Sequence, residues 1–259
     1  MTEKFVMLTF DLEEFDIPEE YGQTVSEYDQ MNVTLSGMER LLKVLEKHQI
    51  NATFFTTGNF ARYNSSLIKK LAEKHEIASH AMYHSPTHDF KESDIEESML
   101  VLKSITGKDV SGFRMPRLRS FDRSKLSGMG IRYSSSTNPT YLPGRYNSLD
   151  KNPLPAMQDG MMELPCSTVP VFRFPLFWLS FKNLPTGLYN SLCRITLNSR
   201  KNLMLYYHPW EFADIGDYKL PGYVKSPDGE KLTSKLELLI QSLLAQGATF
   251  VTCSKFIGN

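Results

Sequence analysis

Short apolar runs alternate with amphipathic stretches through the first half of the chain. Residues 4–10 are apolar or β-favouring at Val6, Met7, Leu8, Thr9 and Phe10, which predicts a buried strand. Residues 35–48 (LSGMERLLKVLEKH) carry apolar side chains at helical spacing, with Leu41, Leu42 and Leu45 on one face. ATFFTT (52–57) predicts a second strand, and residues 65–74 a second helix with Asn64 and Ser65 as capping candidates. EIASH predicts a short strand ending at His80, and residues 92–105 a helix with Ser93 as its cap and Gly107 as its stop. The strand SGFRM, a short helix over 123–128 and the strand IRYSSS follow. This βαβα order argues for parallel strands covered by helices, in an open sheet or a barrel.

Residues 138–185 break the rhythm. Pro139, Pro143, Pro153, Pro155, Pro165, Pro170, Pro175 and Pro185 fall within a stretch of little helical periodicity, which predicts long loops with short strands at MMELP and STVPVFRF. Its aromatics (Phe172, Phe174, Phe177, Trp178, Phe181) are too many for a solvated tether, so the stretch reads as an insertion within the fold. Alternation then resumes with a helix over 188–197, the strand LMLYY, a helix over 232–244 and the strand ATFVTC. Without an internal repeat, the pattern predicts one domain over residues 1–259.

Composition narrows the partners. The chain holds 29 basic and 29 acidic residues, so no global field points to nucleic acid or an anionic membrane. No apolar run reaches the roughly 18 residues that span a bilayer. The N-terminus lacks the basic-then-apolar layout of a secretory signal, and Cys166, Cys193 and Cys253 are odd in number and scattered, which predicts reduced packing cysteines and a cytoplasmic protein.

Ionisable residues gather where strands are predicted to end, the place where parallel α/β folds keep their ligands. Asp11, Glu13, Glu14 and Asp16 follow the first strand, His80 and His84 the third, Arg114 the fourth and His208 the strand LMLYY. On a helical turn, the four-residue spacing of His80 and His84 places both imidazoles on one face. Two imidazoles and one carboxylate form an open divalent-metal site. Asp11 and Glu13, two apart, point to the same side of an extended segment, so one can ligate while the other takes a proton from water. Glu14 and Asp16 read as a hydrated loop. Arg114 is placed to fix the base carboxylate, Pro116 to aim the backbone amide of Arg117 into the site, and His208 to protonate a leaving group. His48 and His75 close helices, where a cation suits the dipole, and His88 sits in a loop.

With these residues assembled, the chain resembles the polysaccharide deacetylase family, carbohydrate esterase family four. The resemblance rests on TFDLE at Asp11, His-x-x-x-His at His80 and His84, Arg-x-Pro at Arg114 and Pro116, and YYH at His208. HPWEF is similar to a subgroup associated with bacterial exopolysaccharide gene clusters. The resemblance implies a distorted, TIM-like (β/α) barrel of about seven strands with the proline-rich insertion. It implies Asp11 as base, and Glu13 as carboxylate ligand with Glu14 as rival, beside His80 and His84. The expected cofactor is Zn²⁺, with Co²⁺, Ni²⁺ or Mn²⁺ as alternatives, and the expected substrate an acetylated glycan held in part by Arg117 and Trp210. The family's acidic fourth motif falls near IRYSSSTNP, where serines stand, leaving open what orients His208. An amidase or deformylase of a small nitrogenous metabolite, and a degenerate protein that binds sugar through the aromatics of 172–181 and Trp210, are the rival readings.

Overall fold

The computed structural model describes residues 3–126, 128–143 and 146–258. Strand β1 (Lys4–Leu12) organises the molecule. Its alternation sends Val6, Leu8, Phe10 and Leu12 into the layer under the helices and Met7 into a separate cluster with Phe55, Ala78, Tyr133 and Met204. Thr9 and Asp11 share the parity of Met7, so one column runs from apolar base to acidic mouth. This is why the strand is apolar on both faces before it turns acidic at its end.

Chain order continues with α1 (Glu27–Lys47), β2 (Thr53–Thr56), α2 (Gly58–Tyr63), α3 (Ser65–Leu71), β3 (Glu76–Ser79), α4 (Ser93–Thr106), β4 (Gly112–Phe113) and β5 (Tyr133–Ser134). The insertion contributes the small β6 (Tyr141–Leu142) and β7 (Tyr146–Asn147) pair, the hairpin β8 (Ala156–Gln158) and β9 (Met161–Glu163), and α5 (Trp178–Asn183). Then come α6 (Thr186–Arg200), β10 (Asn202–Tyr207), α7 (Gly222–Lys225), α8 (Gly229–Leu244), β11 (Ala248–Phe250) and α9 (Cys253–Gly258). The main sheet runs β10-β1-β2-β3-β4-β5-β9-β8, with β11 added beside the first half of β1. Within this sheet the described pairings are parallel except β8 with β9, and the separate β6–β7 pair is antiparallel.

This is the expected α/β distorted barrel, curled but not closed by a ladder. Between the β9 and β10 sides, the Ser167 N–H donates to the Met204 carbonyl (3.0 Å) and the Met204 N–H to Ser167 Oγ (2.8 Å). STVPVFRF is not a strand: only Thr168 and Pro175 form an isolated bridge. Pro165, Pro170 and Pro175 lack the N–H that a ladder there needs. Among the described residues the hairpin brings the main sheet to nine strands, against about seven expected.

Helix α1 begins eight residues before its apolar stripe predicts. Ser26 caps it, its Oγ accepting the Asp29 N–H at 3.1 Å, and the polar first turns obscure the period. Residues 123–126 form a 3₁₀ turn, and Ser127 of the predicted helix there lies outside the described residues. All three cysteines are buried and free, as expected. His75 departs from expectation. It accepts the Ala52 N–H (3.2 Å), and burial, then Lys74, lowers its pKa to about 4, so it is neutral and compensates no dipole. Among the described residues no helix is long and apolar enough to cross a membrane.

Gly37 lets α1 approach the turn after β10. A Cβ there would stand 1.8 Å from the Pro209 carbonyl oxygen. Gly37→Ala is therefore expected to destabilise the protein by about 1–3 kcal/mol, read as a lower urea midpoint with unchanged m.

Candidate active site

The ends of β1, β3, β4, β5 and β10 deliver their next residues to one cleft. Glu13, His80 and His84 form its sharpest cluster, and Asp11, Glu13 and His208 a second; in each, the candidate ligand atoms lie within 4.8 Å of one another. His80 Nδ1 donates to the Arg114 carbonyl at 2.8 Å, which leaves Nε2 as a lone-pair donor to any cation. That Nε2 stands 3.2 Å from Glu13 Oε2, yet both atoms are buried without a hydrogen bond. Two facing lone pairs repel unless a positive charge lies between them, so this donor set fits a divalent cation.

His84 Nε2 lies 3.1 Å from the same Glu13 oxygen, and its Nδ1 is 3.0 Å from the Asp16 carboxylate. Burial opposes protonation of His84, but Asp16 and Glu13 lift its pKa to about 10, so the carboxylates around this imidazole favour positive charge there. Glu13 is driven the other way: burial raises its pKa, and the surrounding imidazoles of His84, His208 and His80 hold it well below the carboxylate range. The two histidines are not on a helix. Ala81 takes φ 56° between them, and the rings stack at 5.5 Å with 24° between planes.

The hydrated loop expected at Glu14 and Asp16 is absent: both are buried. Asp16 orients His84 and also accepts from Arg117 Nη2 (2.9 Å). Glu14 turns away from the cluster, accepting from Thr57 Oγ1 (3.1 Å) and Asn59 Nδ2 (2.9 Å), and burial raises its pKa to about 7. Of the two rivals, Glu13 faces the imidazoles.

Arg114 is fully buried. Nη1 reaches Asp11 Oδ1 at 2.5 Å, Nη2 bonds Thr9 Oγ1 and Ser135 Oγ, Nε bonds the Ser135 carbonyl, and the guanidinium lies 4.0 Å over the Phe55 ring. Ser135 of the fourth segment thus holds the arginine. Arg117, at φ 58°, spends its side chain on Asp16, Glu20 and the His84 carbonyl, so that side chain braces the cleft wall. Trp210 also lines the cleft, but its indole N–H donates to Glu13 Oε1 at 3.2 Å and its ring stacks on His208 at 4.9 Å.

His208 has the partner the serines could not supply. Glu211 Oε1 lies 3.0 Å from His208 Nδ1 and accepts the His208 backbone N–H at 2.7 Å, while Nε2 faces Asp11 and Glu13 at 3.9 Å. Burial lowers the His208 pKa, but Glu13, Glu211 and Asp11 outweigh it and raise it. Sequence reasoning missed Glu211, although H-x-x-E on a single turn was its signal. It also missed Thr9, whose signal is its shared parity with Asp11. Glu211→Ala is expected to lower kcat on the order of 10²-fold with metal content unchanged, because a general acid contributes roughly 10²–10⁴ only when aimed. Steady-state kinetics beside metal analysis reads this out.

An incompletely closed (β/α) barrel with imidazoles and carboxylates converging at its strand ends defines the class of this protein. The polysaccharide deacetylase family profile matches residues 1–133, about half of the chain, and the chain belongs to that family. It is 40% identical over 63 residues to the uncharacterized protein YlxY of Bacillus subtilis strain 168, covering 24% of this chain and 20% of that protein. It is 30% identical over 82 residues to the peptidoglycan-N-acetylmuramic acid deacetylase PdaA of the same organism, covering 30% of this chain and 31% of that one. These matches span under a third of either relative's length. A crystal structure of a candidate polysaccharide deacetylase from Mycobacterium smegmatis superposes with TM-score 0.67 at 21% identity, over 98% of this chain and 90% of the other, and shares its fold.

Proposed function

We propose that the protein hydrolyses acetyl groups, N-acetyl foremost, from a polysaccharide or oligosaccharide. The observation that carries this is the buried, unbonded pair Glu13 Oε2 and His80 Nε2, with Asp11 and His208 facing the same space. Glu13, His80 and His84 hold the divalent cation, for which two imidazoles and a carboxylate suit Zn²⁺, Co²⁺, Ni²⁺ or Mn²⁺. When bound, it supplies Lewis-acid polarisation of the acyl carbonyl and a lowered pKa for water.

The chain's own groups do the rest. Asp11 accepts the proton of the attacking water, and Arg114 holds its other oxygen so that one lone pair faces the cleft. The Arg117 backbone N–H serves the developing oxyanion, with its side chain anchoring the strained turn that presents it. His208 donates a proton to the departing amine or alcohol. Glu13, Glu211 and Asp11 favour its charged form, and Glu211 fixes which nitrogen faces the substrate. Phe177, Trp178 and Tyr206 wall the cleft with apolar surface against which a sugar ring packs. The related deacetylase PdaA supports an N-acetylated glycan, and the HPWEF resemblance favours an exopolysaccharide.

The test is acetate release from N- and O-acetylated oligosaccharides by protein supplied with each divalent metal in turn. Release that a chelator stops and added metal restores supports the reading. No release from either substrate class at saturating metal overturns it.

A further inference from the structure

Val171 and Phe172 occupy the tip of the loop between Thr168 and Pro175, and they are 87% and 85% exposed. The backbone holds Val171 at φ 70° and Arg173 at φ 55°, and a β-branched residue pays most for that left-handed region. Folding alone gives no reason to strain an apolar side chain into water. Yet the tip is pinned: the Val169 N–H donates to the Phe174 carbonyl (2.8 Å), the Arg173 N–H to the Val169 carbonyl (3.0 Å), and Thr140 Oγ1 to the Arg173 carbonyl (2.7 Å).

Beside the tip lie two guanidiniums. Arg173 donates to the carbonyls of Pro139 (3.2 Å) and Lys151 (3.1 Å), and Arg200 to that of Pro153 (3.2 Å). Among the described residues neither pairs with a carboxylate; the nearby Asp150 is taken by Lys151 at 3.1 Å. They sense each other, since half-burial and then the charge of Arg173 lower the Arg200 pKa. Each retains N–H donors that the carbonyls do not use. Exposed Tyr141 and exposed Leu154 add apolar surface on the segments these arginines bond, one following Thr140 and the other Pro153.

We propose that this corner docks on a bilayer containing anionic lipid, with Val171 and Phe172 entering the interface and Arg173 and Arg200 meeting headgroup phosphates. Apolar tips flanked by cationic side chains have the chemistry of that boundary, where acyl chains lie beneath a negative surface. A second copy of the chain is disfavoured as the occupant: a two-fold contact centred here would bring the same guanidiniums against their symmetry mates. The chain's net charge of zero does not oppose docking, because the attraction is local within a Debye length. Docking also sets the cleft beside the membrane, since Leu142 follows Tyr141, Phe177 and Trp178 follow the loop, and all three line the cleft. The inference stands on the surface alone and does not depend on the deacetylase reading.

The test is co-sedimentation of the full chain with vesicles of phosphatidylglycerol and phosphatidylcholine in equal parts, and with phosphatidylcholine alone. The wild type is expected to pellet with the anionic vesicles, less so in high salt, and to stay in solution with the neutral ones. V171D/F172D is expected to weaken binding at least about tenfold, from the loss of two apolar insertions, with a melting temperature no lower than that of the wild type, since Asp tolerates the left-handed backbone at 171 better than Val. Arg200→Gln is expected to weaken it less and to flatten the salt dependence. Wild type left in solution with anionic vesicles, or V171D/F172D pelleting like the wild type, overturns the proposal. So does a dimer, seen by light scattering, that the same double variant dissociates.

Discussion

His80→Ala is expected to lose its metal and its activity together. Hydrogen-bonded partners of ligands typically shift metal affinity by about 10–100-fold, so removing a ligand itself lowers it by more than about 100-fold. Equilibrium competition against a chromogenic chelator measures this. Stability gives an independent readout. His80 Nε2 and Glu13 Oε2 face each other at 3.2 Å, buried and without a hydrogen bond, so a cation bound by both adds stability that the variant cannot gain in full. The wild type should therefore gain about 4 kcal/mol of stability at a thousandfold excess of metal over Kd, read as a higher melting temperature, while the variant gains far less. A variant that keeps stoichiometric metal at wild-type affinity would remove His80 from the ligand set.

The same pair explains which parts of the site were legible in the sequence. Period-two alternation in β1 sends Thr9 and Asp11 inward, and the order of strand ends brings Asp11, His80, Arg114 and His208 to one mouth from positions up to 197 residues apart. Those features are local patterns repeated along a parallel barrel, and local patterns are what a sequence displays. The misreadings at Glu14 and Asp16 have the opposite origin. Carboxylates in a loop are ordinarily solvated, and only distant partners, Thr57 and Asn59 for one and His84 and Arg117 for the other, make burial tolerable here. Within the insertion MMELP forms β9 as expected, and STVPVFRF departs for a related reason: it has β-favouring residues, but its edge of the barrel is set by missing N–H groups and a single bridge. The serine-rich fourth segment leaves open in the sequence what orients His208; in the fold it bonds Arg114 while Glu211 serves His208. The two tasks were divided between segments that no single motif contains.

Asp11→Asn separates proton transfer from metal binding, because Asp11 is the carboxylate that Arg114 touches and lies outside the Glu13, His80 and His84 cluster. The amide oxygen can still accept from Arg114, so the geometry is preserved, but the side chain can no longer take a proton from water. Turnover is expected to fall about 10²–10⁴-fold, the usual contribution of general acid–base catalysis, with metal content near that of the wild type. A cost in stability accompanies it. Arg114 is fully buried, and breaking a buried ion pair by neutralising one partner typically costs about 3–5 kcal/mol, an upper bound here since the hydrogen bond survives. Arg114→Gln combined with Asp11→Asn removes both charges, and should recover part of that stability while leaving turnover low. If stability and turnover recovered together in the double variant, Asp11 would be a structural counter-ion. If they part, with the fold restored and hydrolysis still absent, Asp11 is the base.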